Sequence, residues 1–98
     1  MNDFLARFRR VRLSDRCNSD IQNAKEEIED VKAVDDIVGS IIFYLERNAD
    51  LCPILEGTNV RFYKAKRHPR GYQFIAHIFV KPGEVEICEL RVKKFLAE

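Results

Sequence analysis

Pro82–Gly83 stands between two β-forming runs, "GYQFIAHIFV" and "EVEICELRV", and no other feature of the 98-residue sequence constrains the fold as strongly. Both runs are rich in β-branched and aromatic residues, and a Pro-Gly step between such runs marks a hairpin. With an even loop over Lys81 to Glu84, Val80 faces Val85, Ile78 faces Ile87, Ala76 faces Glu89 and Phe74 faces Arg91. On the other side Phe79 faces Glu86, His77 faces Cys88, Ile75 faces Leu90 and Gln73 faces Val92. A bulge would move this pairing by one residue and exchange the faces beyond it. In the even register one face becomes the helix-covered core, while the other is apolar near the turn and carries Glu89 and Arg91 toward its far end; the sequence leaves both facings open.

The rest of the chain supplies what this hairpin packs against. "ARFRRVRLSD" alternates Val11 and Leu13 with arginines and reads as a short edge strand, since charged residues protect edges. "NSDIQNAKEEIEDVKAV" places Ile21, Ala24, Ile28 and Val31 at helical spacing, and Ser19 with Gln22 forms a capping-box pattern. "VDDIVGSIIFYLERN" carries a stripe of Val34, Ile37, Val38, Ile41, Ile42 and Leu45, with Asp35 and Asp36 suited to a first helical turn. The two helices are expected to join near Ala33, or to run on with a kink. Pro53 and Gly57 break the helical pattern, and "NVRFYKAK" reads as a further strand. The order β-α-α-β-β-β predicts an α+β fold: a small, twisted, antiparallel-rich sheet with two helices packed on one face.

A chain of this length buries roughly 60–70% of its unfolded surface, so residues 1–98 are expected to form one domain. Apolar residues make up 46% and charged residues 34%, the balance of a soluble protein. No apolar run approaches the roughly 20 residues of a membrane span. The opening "MNDFLARFRRVRLSD" has arginines where a signal peptide has its apolar core, which makes the cytoplasm the expected compartment. Cys17, Cys52 and Cys88 are odd in number and widely spaced, against a disulfide framework or a zinc site. The four glycines are isolated, so no phosphate-binding loop is expected, and no cofactor is implied.

The formal net charge is only +1, but its distribution is uneven. Residues 1–14 carry net +3, residues 15–50 net −6 and residues 51–98 net +4. An acidic middle between basic ends points to a polarised surface, which bears on partners. The positive charge concentrates in "RFYKAKRHPRGYQF". Within it Arg61, Lys64, Lys66, Arg67 and Arg70 can contact phosphates, and Tyr63 and Tyr72 can stack on unpaired bases. A solvated, solubilising strand and loop is the plain alternative. His68, in an exposed-looking loop, has the chemistry of a general acid or base. His77 opposite Cys88 would place a thiol beside an imidazole, but no third orienting group accompanies them.

The element order, together with "YLERNADLCPILEGTNVRFYKAK", "GYQFIAHIFV" and "GEVEICELRV", resembles the RelE/ParE superfamily of toxins over about residues 8–94. The resemblance implies one of two activities, each neutralised by a cognate antitoxin: ribosome-dependent, metal-independent cleavage of mRNA (an endoribonuclease activity), or inhibition of DNA gyrase, either arresting bacterial growth. For a nuclease it implies Arg61, Lys64, Lys66 and Arg91 as catalytic residues, with Tyr63, Arg67, His68, Arg70 and Tyr72 as RNA contacts. Gln73 stands where the family often has arginine, and Phe95 where a nuclease often has tyrosine; phenylalanine cannot accept a proton. A non-catalytic toxin or an inert interaction module therefore stays open beside the nuclease. The open sheet is expected to be covered by an antitoxin helix or strand, or by a second copy in a homodimer.

Overall fold

The computed structural model describes residues 8–95, so Ala6 and Arg7 of the expected first strand lie outside the described residues. Strand β1 (Arg10–Leu13) leads into helix α1 (Asp15–Ile28), helix α2 (Val31–Asn48) and a short 3-10 turn (Ala49–Leu51). Three strands follow, β2 (Arg61–Lys64), β3 (Tyr72–Lys81) and β4 (Glu84–Lys94). The sheet order is β1-β4-β3-β2, with β1 parallel to β4 and the other pairs antiparallel. This is the expected α+β architecture, with the short arginine-rich strand on one edge and the two longest strands in the centre.

The helix boundaries differ from the sequence expectation. Helix α1 begins one residue after the strand, and its cap is Ser14, not Ser19: the Ser14 hydroxyl accepts the Cys17 N–H at 3.0 Å. The same hydroxyl donates to the Cys88 carbonyl at 2.7 Å. This second bond, invisible to local sequence, ties the helix start to β4. The helices separate at Glu29 and Asp30 and not near Ala33. Glu29 adopts the left-handed region, φ 59°, and the Asp30 carboxylate accepts the Ala33 N–H at 3.1 Å. Asp35 and Asp36 consequently fall in the second turn of α2, where they pair with Lys25 and Lys32, each at 3.1 Å.

The hairpin register follows the even-loop expectation from the turn as far as Ile78–Ile87, then shifts. His77 faces Glu89, Ala76 faces Leu90, Ile75 faces Arg91, Phe74 faces Val92 and Gln73 faces Lys93. Cys88 is the extra residue of a β-bulge. The physical reason is the core: an unbroken register would turn Glu89 and Arg91 toward the helices. The bulge instead returns Leu90 and Val92 to that face and sends both charges outward. Its displaced backbone groups are taken up by α1, through Ser14 at the Cys88 carbonyl and through Asp20, whose carboxylate accepts the Leu90 N–H at 2.9 Å. The expected opposition of His77 and Cys88 does not occur.

The core lies between the helices and one face of the sheet. Phe74, Ala76 and Ile78 of β3 and Val85, Ile87 and Leu90 of β4 are buried against Ile21, Ala24 and Ile28 of α1 and Val34, Ile41 and Leu45 of α2. The loop from β2 to β3 closes on the end of β4, where the Phe95 N–H donates to Gly71 O at 2.7 Å. Gly71 has φ 91°, and a Cβ there would lie 2.7 Å from Phe95 O, so the position demands glycine. Among the described residues no helix is long and apolar enough to cross a membrane.

Candidate functional site

The face of the sheet away from the helices is open, and its charges are sorted along it. From β1 it presents Arg10 and Arg12; from β4, Glu84, Glu86, Glu89, Arg91 and Lys93; from β3, Gln73, Ile75, His77 and Phe79; from β2, Phe62 and Lys64. Each acid is matched. Arg12 reaches Glu84 at 3.4 Å and Glu86 at 3.1 Å, while Arg16 and His77 hold Glu89 at 3.1 Å and 3.3 Å. The cations at the other end are not. Lys64 and Arg91 are exposed and have no carboxylate partner among the described residues, and Lys93 lies 5.3 Å from the Phe95 ring. Lys64 and Arg91 stand on either side of Ile75, with His77 and Phe62 in the adjoining row.

Of the residues singled out from sequence, Lys64 and Arg91 are therefore brought together. Arg61 is not. It pairs with Ile78 on the helix side of the sheet, and its guanidinium donates to the carbonyls of Asp50 at 3.1 Å and Cys52 at 2.9 Å. In that position it fastens the loop after α2 to β2. Tyr63 also faces the helices, stacked on Tyr44 with ring centroids 4.3 Å apart. Burial, then the neighbouring Tyr44 and Cys52, push its hydroxyl above the ordinary range, away from service as a base near neutral pH.

The other loop residues are used inside the molecule. His68 is buried, at 7% exposure, contrary to the exposed loop expected. Its Nδ1 accepts the Arg70 N–H at 3.0 Å and its Nε2 lies 3.9 Å from an Asp30 carboxylate oxygen. Arg70 donates to Ile28 O at 2.9 Å and so satisfies a carbonyl at the end of α1. Tyr72 is buried at 7% exposure, edge-on to the His68 ring. Arg67 stacks on the Phe95 ring at 3.8 Å. Gln73 donates its amide to Ala65 O at 3.0 Å.

Lys66 and Arg67 lie beyond β2 on the rim of a groove of about 640 Å³ between α2 and residues 65–69. Ala33, Ile37, Ile41, Tyr63 and Ala65 line its apolar part, and Asp30 and Asp36 stand on the helix side. Sequence reasoning missed Lys93, Phe62 and His77 as parts of the open face. The alternation of Arg91 with Lys93 was a usable signal for the first; the other two depended on the register. Among the described residues no group of His, Cys, Asp and Glu side chains has the makings of a metal site.

The four-stranded mixed sheet, with an α-hairpin inserted after its first strand, is a fold also found among solved structures. A solved structure described as "Chromosomal ParDE TA system from P. aeruginosa" superposes with a TM-score of 0.69 over 86% of this chain and 95% of that one, at 22% sequence identity. At that identity the likeness is one of fold. No protein-family model and no curated protein matches the sequence.

Proposed function

We propose that this chain is the toxin component of a type II toxin–antitoxin pair and that it acts in the ParE manner, by binding a protein target such as DNA gyrase, without cleaving RNA. The observation that carries this reading is the division of the expected nuclease residues. Arg61, Tyr63, His68, Arg70 and Tyr72 are spent on internal contacts, and Arg61 and Lys64 lie on opposite faces of the sheet. General acid–base cleavage needs its proton donors and acceptors around one phosphate, and that set is not gathered. The fold shared with a chain from a ParDE toxin–antitoxin system supports the same reading. The antitoxin would cover the groove beside α2, whose apolar lining suits an amphipathic helix.

One observation favours the nuclease as a second reading. Lys64 and Arg91 flank Ile75 with His77 in the next row, an arrangement able to hold a phosphate beside an imidazole. Induced expression separates the two. The expected result is growth arrest with gyrase-dependent DNA breaks and no new mRNA 5′ ends. New 5′ ends that disappear in Lys64→Glu/Arg91→Glu and in His77→Asn would overturn the protein-binding reading in favour of the nuclease. Unimpaired growth would remove both.

A further inference from the structure

Residues 65–71 return the chain from β2 to β3, and His68 is the buried pivot of that turn. Its N–H donates to Tyr72 O at 2.6 Å, its carbonyl accepts the Gly71 N–H at 2.8 Å, and the Tyr72 ring stands edge-on to the imidazole. An imidazole only 7% exposed needs partners for both nitrogens. Nδ1 has one: it accepts the Arg70 N–H at 3.0 Å, which fixes the neutral tautomer with its hydrogen on Nε2. Nε2 has none among the described residues. The carboxylate oxygen that faces it, Asp30 Oδ2, is 3.9 Å away, too far for a hydrogen bond. Every fully occluded side-chain nitrogen and oxygen among the described residues is hydrogen-bonded, so Nε2 must still meet open space. That space is the groove of about 640 Å³, which His68 and Asp30 both line.

Nε2–H and Asp30 Oδ2 thus stand side by side in the groove as donor and acceptor. Asp30 is held in place, because its other oxygen accepts the Ala33 N–H at 3.1 Å and caps α2. The oxygen and nitrogen of a primary amide lie about 2.2 Å apart. Two nearly parallel hydrogen bonds therefore span the pair, one from Nε2–H to the amide oxygen and one from the amide N–H to Oδ2. A carboxylate could accept from Nε2–H, but it has no hydrogen for Asp30 and repels its charge. An ammonium would satisfy Asp30 and leave the imidazole N–H without an acceptor. Beyond the pair, Ala33, Ile37, Ile41 and Tyr63 form an apolar wall, and a recess of this size takes a small molecule. The lining as a whole matches an uncharged amide on an apolar body.

We infer that this groove binds a small uncharged carboxamide, its amide held between His68 Nε2 and the Asp30 carboxylate and its apolar body laid against Ile37, Ile41 and Tyr63. The proposed function gives the same groove to an antitoxin helix, but donor, acceptor and apolar wall define this ligand whatever the chain's activity, and binding is read without a toxicity assay. The probe is 3-phenylpropanamide, titrated into the full ¹⁵N-labelled chain, with 3-phenylpropanoate as the control of equal shape. Saturable shifts are expected at the Ala33 and Arg70 amides, which are bonded to Asp30 and His68. The propanoate is expected to bind about tenfold more weakly or less. Asp30→Asn retains an oxygen for the Ala33 N–H and remains a good cap, while it sets a second donor beside Nε2. This variant is expected to reverse the preference, toward the propanoate. His68→Asn keeps an acceptor for the Arg70 N–H, removes the Nε2 donor and is expected to weaken amide binding about tenfold. Three results would overturn the inference: no saturable shift at Ala33 and Arg70, equal binding of the two probes to the native chain, or a preference that Asp30→Asn leaves unchanged.

Discussion

Arg61 illustrates how a residue type suited to phosphate binding is diverted to structure. Its planar fork matches two carbonyls as readily as two phosphate oxygens, and the chain offers carbonyls at Asp50 and Cys52, where the 3-10 turn leaves them without helical partners. Arg70 does the same at Ile28. Truncating Arg61 to Ala is accordingly expected to cost about 1–3 kcal/mol of stability. Lys64→Ala, on an exposed site with no ion-pair partner among the described residues, should change stability by less than about 0.5 kcal/mol. Urea denaturation of the two variants checks the contrast; equal stabilities would return Arg61 to the list of residues free for a ligand.

At the scale of elements the bulge in β4 decides most. It reconciles a strand whose apolar residues change phase, from Val85 and Ile87 to Leu90 and Val92, with a sheet that has one buried face. The same single residue brings the Cys88 carbonyl to Ser14 and the Leu90 N–H to Asp20, so the irregular point of the strand is where α1 is anchored. Deleting Cys88 would leave Leu90 and Val92 facing the core. That variant is expected to unfold cooperatively, with a loss of about 1–3 kcal/mol for the severed Ser14 bond and the reworked strand. Deleting Leu90 would turn Arg91 and Lys93 inward and is expected to abolish the folded state. Far-UV circular dichroism and tyrosine fluorescence, followed through urea unfolding, distinguish the two outcomes.

For the molecule as a whole, charge and burial are arranged in layers. Acidic side chains populate the exposed helices, the core between helices and sheet is apolar, and the unmatched cations gather at one end of the opposite face. The small net charge is the sum of these separate surfaces. Global stability should also carry the mark of a buried thiol. Burial, with smaller contributions from Asp20 and Cys88, pushes Cys17 up from the ordinary 9.0 to about 11. An unfolded chain gives up this proton at a lower pH than the native protein does. The stability it contributes is complete below about pH 9 and is lost as pH rises toward 11, by about 2 kcal/mol in all. The fall in urea midpoint between pH 8.5 and pH 10.5 should be smaller in Cys17→Ala; an identical fall in both proteins would refute this.

By itself the sequence determined the order of elements, the Pro82–Gly83 hairpin, the protected edge at β1 and the apolar stripes that became the core. These depend on local periodicity and turn chemistry, which act over a few residues. Only the tertiary structure decided where the basic residues went. Alternation along "RFYKAK" divides it between two faces, and which half faces the helices depends on the register with β3. The burial of His68, the choice of Ser14 over Ser19 as a cap and the phase change at Cys88 each turned on contacts more than 30 residues distant in the chain. A hydrogen-bonding group near a turn has several possible partners, and the one it takes is set by the backbone group that folding leaves unsatisfied beside it.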